Sequence, residues 1–284
     1  MADPVLEPEP TTNLKPVGEP ADRDIDYATV TETPGRGALR ETLDALRTRY
    51  SLAADLGAGG DVLELACGPG MGLAYLARSA RKVVGGDFDA GLVEQARAHY
   101  GDRFEIRQID AADLPFGDGS FDLVLLLEAI YYLPDPGRFL REARRVLRPG
   151  GAVLICSANP EREDFNPSPF THRYFSAGEL ATLLGECGFG AELAAAFPVT
   201  AAGAGGRLYA QLRNLAVKWH LIPKTMAGKE LIKKILYRNL TPFPAELTVE
   251  GSCVPLETVD AGQPVTGYKV IYATGWVPAA SSSR

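Results

Sequence analysis

The sequence predicts an α/β fold built as a doubly wound, mostly parallel sheet, and three observations carry the expectation. Short apolar runs alternate with segments of helical periodicity from residue 61 to residue 158, and strands joined through helices form right-handed crossovers that leave neighbouring strands parallel. The run LVLLL at 123–127 has no polar residue, as expected of a strand covered on both faces. The largely apolar strand at 61–67 leads directly into three closely spaced glycines at the head of a helix, in VLELACGPGMG.

Taken in order, the first twenty or so residues are rich in Pro, Glu and Thr and hold few large apolar groups, too few to offset the entropy of ordering them. Residues 1–22 are therefore expected to be a disordered tail, and 23–284 a single domain. GALRETLDALRTRY (37–50) sets Leu39, Leu43 and Leu46 at helical spacing, giving an amphipathic helix that covers the sheet's edge. DVLELAC (61–67), RKVVGGD (81–87), FEIRQID (104–110), FDLVLLLE (121–128) and AVLICSA (152–158) read as strands. Between them MGLAYLARSA, AGLVEQARAHY and GRFLREARRVLRPGG read as helices, the last stopped by Pro149, Gly150 and Gly151. A further helix starts at Ser176 as N-cap, with Glu179 completing a capping box, and ends at Gly188. A strand at about 191–199 and a final strand, GYKVIYATGW, enclose an insertion at about 200–262. That is far longer than an ordinary loop and is expected to be a helical cap that sets specificity.

Composition narrows the function classes. Hydrophobic residues make up 46% of the 284, enough for a proper core. No apolar run is long enough to span a membrane, and MADPVLEPEP has neither the basic nor the apolar region of a secretory signal; a cytoplasmic protein is expected. Cys67, Cys156, Cys187 and Cys253 form no CxxC pair and lie near no histidine cluster, so no metal site or disulfide framework is expected and all four read as reduced core residues. A net charge of -7 disfavours general nucleic-acid binding.

Gly68, Gly70 and Gly72 let the backbone approach a ligand and aim helix N-terminal N–H groups at it. Asp87 ends the next strand, nineteen positions after Gly68, where a carboxylate can accept from two ribose hydroxyls. Together they indicate an adenosine cofactor; the alternative is a tight turn without ligand. A nicotinamide dinucleotide fits poorly, because G-x-G-x-x-G would need a glycine at Leu73. Glu64 before the loop would also repel a pyrophosphate, whereas it suits a ligand carrying an ammonium and a sulfonium.

With E-L-A-C-G-P-G (64–70), G-D-F-D (86–89), D-A-A-D-L-P-F (110–116), S-F-D-L-V (120–124) and R-V-L-R-P-G-G (145–151) in this order, the chain resembles the class I S-adenosylmethionine-dependent methyltransferases. More narrowly, it is similar to the group holding the ubiquinone and menaquinone methyltransferases and many small-molecule enzymes of secondary metabolism. The likeness covers about residues 37–190. It implies a Rossmann-like sheet of seven strands with the last antiparallel, and S-adenosyl-L-methionine as cofactor. It also implies that Glu64, Ala66 and the loop with Gly68 and Gly70 hold the methionine end, and that Asp87 takes the ribose hydroxyls. Phe88 would pack on the adenine, with core packing as its alternative. Asp110 and Ala111 would bind the adenine edge, and Leu127 and Glu128 would lie beside the methyl donor. Asp113 reads as a loop or capping residue.

Methyl transfer from a sulfonium needs an acceptor lone pair held in line with the methyl group, and a base only where the acceptor has a proton to lose. Glu128, at the mouth of the sheet, and His172, in the loop FTHRYFS, are the candidates, although H-R-Y-F-S-x-x-E-L is also a helix-entry pattern of the family. His99 reads as a helix-terminal residue and His220 lies in the insertion. Tyr131 and Tyr132 either wall the acceptor pocket or pack in the core, and Tyr27 is a candidate lid over the cofactor. From Arg207 to Arg238 eight basic residues face one acidic residue, Glu230, and KELIKKILYR is amphipathic. A solvated helix, a lid over an anionic acceptor and peripheral contact with a membrane or lipid-like acceptor all remain open there, with the glycines of AAGAGG (201–206) as a hinge. The activity read from the sequence is O-methylation of a small molecule in secondary metabolism. N- or C-methylation of a small or lipid-like metabolite is the alternative, and a non-catalytic cofactor-binding protein is a different class. Nucleic acid is not expected as a partner, since the chain has no N-P-P-Y type tetrapeptide and no added module.

Overall fold

The apolar runs condense into one sheet because each is flanked by a helix whose own apolar stripe needs the same cover. The computed structural model describes residues 27–168, 170–199 and 240–279. Its strands are β1 (Gly37–Ala38), β2 (Asp61–Leu65), β3 (Lys82–Asp87), β4 (Glu105–Gln108), β5 (Phe121–Leu127), β6 (Leu147–Ala158), β7 (Gly190–Pro198), β8 (Thr241–Pro242), β9 (Glu257–Thr258) and β10 (Tyr268–Trp276). The helices are α1 (Arg40–Leu56), α2 (Leu73–Leu76), α3 (Ala90–Tyr100), α4 (Pro136–Val146) and α5 (Ala177–Glu186). The main sheet runs β4-β3-β2-β5-β6-β10-β7-β9. Its pairs from β4 to β6 are parallel, while β10 is antiparallel to both β6 and β7. Seven strands were expected; the two-residue β9 adds an eighth at the edge beside β7. Strand order reverses between β2 and β5, opening a crevice at their carboxyl ends.

Two apolar layers enclose the sheet. One packs α4 and α5 through Phe139, Leu140, Leu180 and Leu184. The other packs α1, α2 and α3 through Leu46, Leu73 and Val93. Helix α3 has the bounds its periodicity predicts, and Asp89 caps it by accepting from the Gly91 and Leu92 amides. The capping box of α5 forms as expected, with Ser176 and Glu179 bonding each other's backbone. Helix α4 stops earlier than Pro149, because Leu147 is already extended and β6 starts there. Arg148, preceding a proline, is pushed out of the helical region, and the change of conformation begins one residue upstream.

Beyond the insertion the chain is extended. β8 pairs with β1, the Phe243 amide donates to the Arg36 carbonyl at 2.8 Å, and the Leu247 amide donates to the Met71 carbonyl at 2.8 Å. Phe243 and Leu247 are buried in the layer built by α1, α2 and α3. For residues 240–262 the expected helical cap is therefore corrected to a strap of short strands and turns across α1 and the glycine loop. The tail at 1–22, the AAGAGG stretch, His220 and the basic amphipathic segment lie outside the described residues. Cysteines 67 and 156 are buried, but Cys187 is half-buried and Cys253 exposed, so neither belongs to the core. Among the described residues no helix is long and apolar enough to cross a membrane, and no cluster of metal-ligating side chains forms.

Candidate active site

The crevice between β2 and β5 is a cavity of about 610 Å³, within the range of small-molecule sites. Its floor is the turn after β2. Ala66 and Gly68 have φ values of 54° and 56°, the left-handed region in which a non-glycine residue is strained. A Cβ on Gly72 would fall inside the Tyr50 ring, so only glycine lets α1 close onto the loop. Asp87, buried at the tip of β3, accepts from the Gly68 amide at 2.8 Å and from the Asp89 amide at 2.9 Å. Each of its oxygens keeps a second lone pair for a ligand hydroxyl. Burial pushes its pKa up, while the amides of Asp89 and Gly68 pull it back.

Glu64 is buried below the loop. Its Oε1 accepts from the Tyr50 hydroxyl, and its Oε2 is sealed from solvent with no hydrogen-bond partner among the described residues. Burial lifts its pKa to about 7, against the pull of the Tyr50 hydroxyl and the Arg49 charge. A buried acceptor without a donor is costly, and a ligand ammonium would satisfy it. Phe88 is 62% exposed, which removes core packing as its role and leaves a bare aromatic face at the cavity rim. Asp110 is exposed rather than buried. Its Oδ1 accepts from the Ala112 amide at 2.8 Å, closing a turn at the cavity wall that Ala111 also lines.

At the end of β5, Leu127 is buried and Glu128 has a φ of 55°. The Glu128 carboxylate accepts from the Tyr131 hydroxyl at 2.9 Å, and the Cys156 thiol lies 3.5 Å from its other oxygen. Tyr131 stacks on Tyr174 with centroids 4.4 Å apart, and Tyr27 meets Tyr132 edge-on at 5.6 Å, so aromatic rings wall this half of the cavity. His172 lines it as well, held by its amide to the Tyr131 carbonyl at 2.8 Å. His99 sits apart, in the last turn of α3, 3.1 Å from Glu246.

Arg49 is a lining residue that sequence reading missed, as are Glu32 and Tyr50. The Arg49 side chain is only 10% exposed and pairs with Glu32. A signal existed: on α1, Arg49 lies three residues after Leu46 and four before Ala53, both fully buried, so a cation occupies the inward face of an amphipathic helix.

A sheet reversing at a glycine turn, with a carboxylate at the tip of the neighbouring strand, defines a nucleoside-binding α/β protein. Residues 63–155 match the family described as a methyltransferase domain. Among curated relatives, a probable S-adenosylmethionine-dependent methyltransferase of Mycolicibacterium smegmatis is 41% identical over 149 residues, covering 50% of this chain and 57% of that protein. A fatty-acid O-methyltransferase of the same organism is 44% identical over 105 residues, covering 36% and 38%. The match thus spans 57% of the first relative and 38% of the second. The crystal structure of a possible histamine N-methyltransferase from Thermotoga maritima shares the fold, with a TM-score of 0.54, 17% identity, and coverage of 83% of this chain and 92% of that one.

Proposed function

We propose that the chain is an S-adenosylmethionine-dependent methyltransferase that methylates an oxygen of a small or lipid-like acceptor. The observation that carries this reading is the pairing, in one cavity, of the unpartnered Glu64 oxygen with the loop-facing Asp87 carboxylate. Glu64 suits an ammonium and Asp87 a ribose, a combination that a dinucleotide does not present. Phe88 offers its ring to the adenine, Asp110 and Ala111 its edge contacts, and Ala66, Gly68, Gly70 and Leu127 the backbone and apolar wall. When bound, the cofactor supplies an electrophilic methyl group on a cationic sulfur.

The protein's task is then to aim the acceptor and receive its proton. Glu128 lines the cavity just after β5, and the Tyr131 hydroxyl donates to its carboxylate. It takes the proton of an acceptor hydroxyl, with His172 as the alternative base on the same wall. The aromatic rings and Leu133 suit an apolar acceptor body, and the likeness to a fatty-acid O-methyltransferase supports a lipid-like one.

Isothermal calorimetry with S-adenosylhomocysteine tests the cofactor site. Wild type is expected to bind it, and Asp87→Ala to lose about 100-fold or more in affinity, consistent with removing a charged hydrogen-bond acceptor. Unchanged affinity in that variant, or preference for a nicotinamide dinucleotide, overturns the assignment. Turnover of labelled cofactor against hydroxylated acceptors tests the chemistry. Glu128→Gln should cut kcat about 100-fold, the scale of general-base catalysis, with cofactor affinity retained. A wild-type chain that binds cofactor and releases no demethylated product with any acceptor is a binding protein.

A further inference from the structure

Neighbouring strands of a sheet lie about 4.8 Å apart, so the strands whose ends line a cavity at the sheet's edge measure its length. Asp87 at the end of β3, Ala66 after β2, Glu128 after β5, Ala158 at the end of β6, Val270 near the start of β10 and Phe197 near the end of β7 all line the cavity. These six strands are consecutive in the sheet, so the cavity follows the carboxyl edge for about 24 Å. The residues assigned above to the cofactor end at β5, with Leu127. Beyond Glu128 three strands remain, and with them about 14 Å of cavity.

Register makes this second half a level row, because Ala158 pairs with Val270 and Val270 with Ala196. Arg162 and Lys269 line the cavity there as well, but each already has a carboxylate: Arg162 Nε lies 3.5 Å from Asp164, and Lys269 Nζ 2.6 Å from Glu41. An anionic acceptor would compete with those carboxylates, whereas an apolar one leaves both pairs in place. Phe197 closes the row. Successive residues of a strand point to opposite faces; Leu193 and Ala195 belong to the layer of α4 and α5, and Ala196 to that of α1 to α3, so alternation would return Phe197 to the first. Its φ of 63° breaks the alternation, and the ring joins Ala196 in the α1 layer, the side on which Thr42 and Ala45 line the cavity. That conformation is strained for a bulky residue, and what it achieves is a ring at the cavity's end. Among the described residues, none of β9, the next strand out, lines the cavity.

We propose that the acceptor is a linear hydrocarbon chain with a terminal hydroxyl, which reaches Glu128 while the chain lies across the ends of β6, β10 and β7, and that Phe197 is the specificity-determining residue that limits its length. The proposal rests on the methyltransferase reading above. Carbons bonded at ~1.5 Å in a staggered chain cover the row with about 11 atoms. A longer chain meets the Phe197 ring.

The test titrates the protein, saturated with S-adenosylhomocysteine, with linear alkan-1-ols of about 2 to 14 carbons and reads Kd by calorimetry. In wild type each methylene that enters the row should tighten binding about 4-fold, and the gain should stop at about 11 carbons. Phe197→Gly, which is at ease at that φ, should move the stop about 3 carbons further. Ala158→Leu fills the row one strand beyond Glu128 and should bring the stop down to about 4 carbons. Retained affinity for S-adenosylhomocysteine shows each variant to be folded. Val270→Phe, with a stop at about 8 carbons, replaces a variant that is not. Wild-type affinity independent of chain length, one and the same stop in wild type and variants, or no binding of any alkanol overturns the proposal. A wild type that does not bind S-adenosylhomocysteine instead overturns the reading on which it rests.

Discussion

At the residue scale the governing quantity is the cost of enclosing a charge. Glu64 sits among apolar neighbours with one oxygen unpartnered, and burial carries its pKa to about 7 from an ordinary value of 4.5. Because the folded value lies above the unfolded one, the ligand-free protein gains stability from the protonated carboxyl below about 4.5 and loses it as the pH rises through about 7. The loss by pH 8 is on the order of 3 kcal/mol. Glu64→Gln should therefore raise the Tm of the ligand-free protein at pH 8 and flatten its pH dependence above pH 5. Ligand binding runs the other way. An ammonium prefers the ionised carboxylate, so affinity for S-adenosylhomocysteine should rise between pH 5.5 and 7 in wild type and stay flat in Glu64→Gln. A flat wild-type profile would remove Glu64 from the ammonium site.

At the element scale, the turn after β2 is stable because α1 lies on it. Tyr50 crosses from the helix to Glu64, and Gly72 gives the ring room. Gly72→Ala forces the ring aside, and overpacking of this kind costs about 1–3 kcal/mol. Since the displaced ring also releases Glu64, cofactor affinity should fall with Tm. Ser176→Ala supplies the contrast: it removes one side of a capping box at α5, costs about 0.5–2 kcal/mol, and should leave cofactor affinity unchanged. Both are read by thermal denaturation with and without S-adenosylhomocysteine; a Gly72→Ala variant of undiminished affinity contradicts the coupling of loop and helix.

On the scale of the whole molecule, the segment over the site is tied down by one far away in sequence. Residues 27–38 and 240–247 meet through β1 and β8, and the Gly35 amide donates to the Phe243 carbonyl at 2.9 Å. Phe243 is 5% exposed, in a layer shared with α1 to α3, so Phe243→Ala should cost about 3–5 kcal/mol. It should also weaken cofactor binding although Phe243 does not line the cavity. Urea denaturation gives the first quantity and calorimetry the second; a stability loss with unaltered affinity would separate the strap from the site.

What the sequence determined by itself was whatever depends on neighbours a few residues apart. The strand runs, the apolar stripes of α1 and α3, the Ser176 capping box, and the placement of three glycines between β2 and a helix are set by local periodicity and backbone freedom, and Asp87 could be picked out because it ends the next strand. Three features depended on packing between distant segments, which local pattern does not encode: Asp110 is left in solvent, Arg49 is sunk beside Glu64, and the chain after the insertion returns over the glycine loop. Each reflects the same physical fact, that whether a charge or a backbone segment is buried is decided by what the rest of the chain brings against it. The cofactor loop was therefore legible in one dimension, while the buried cation on α1 became visible only when that helix was laid against the sheet.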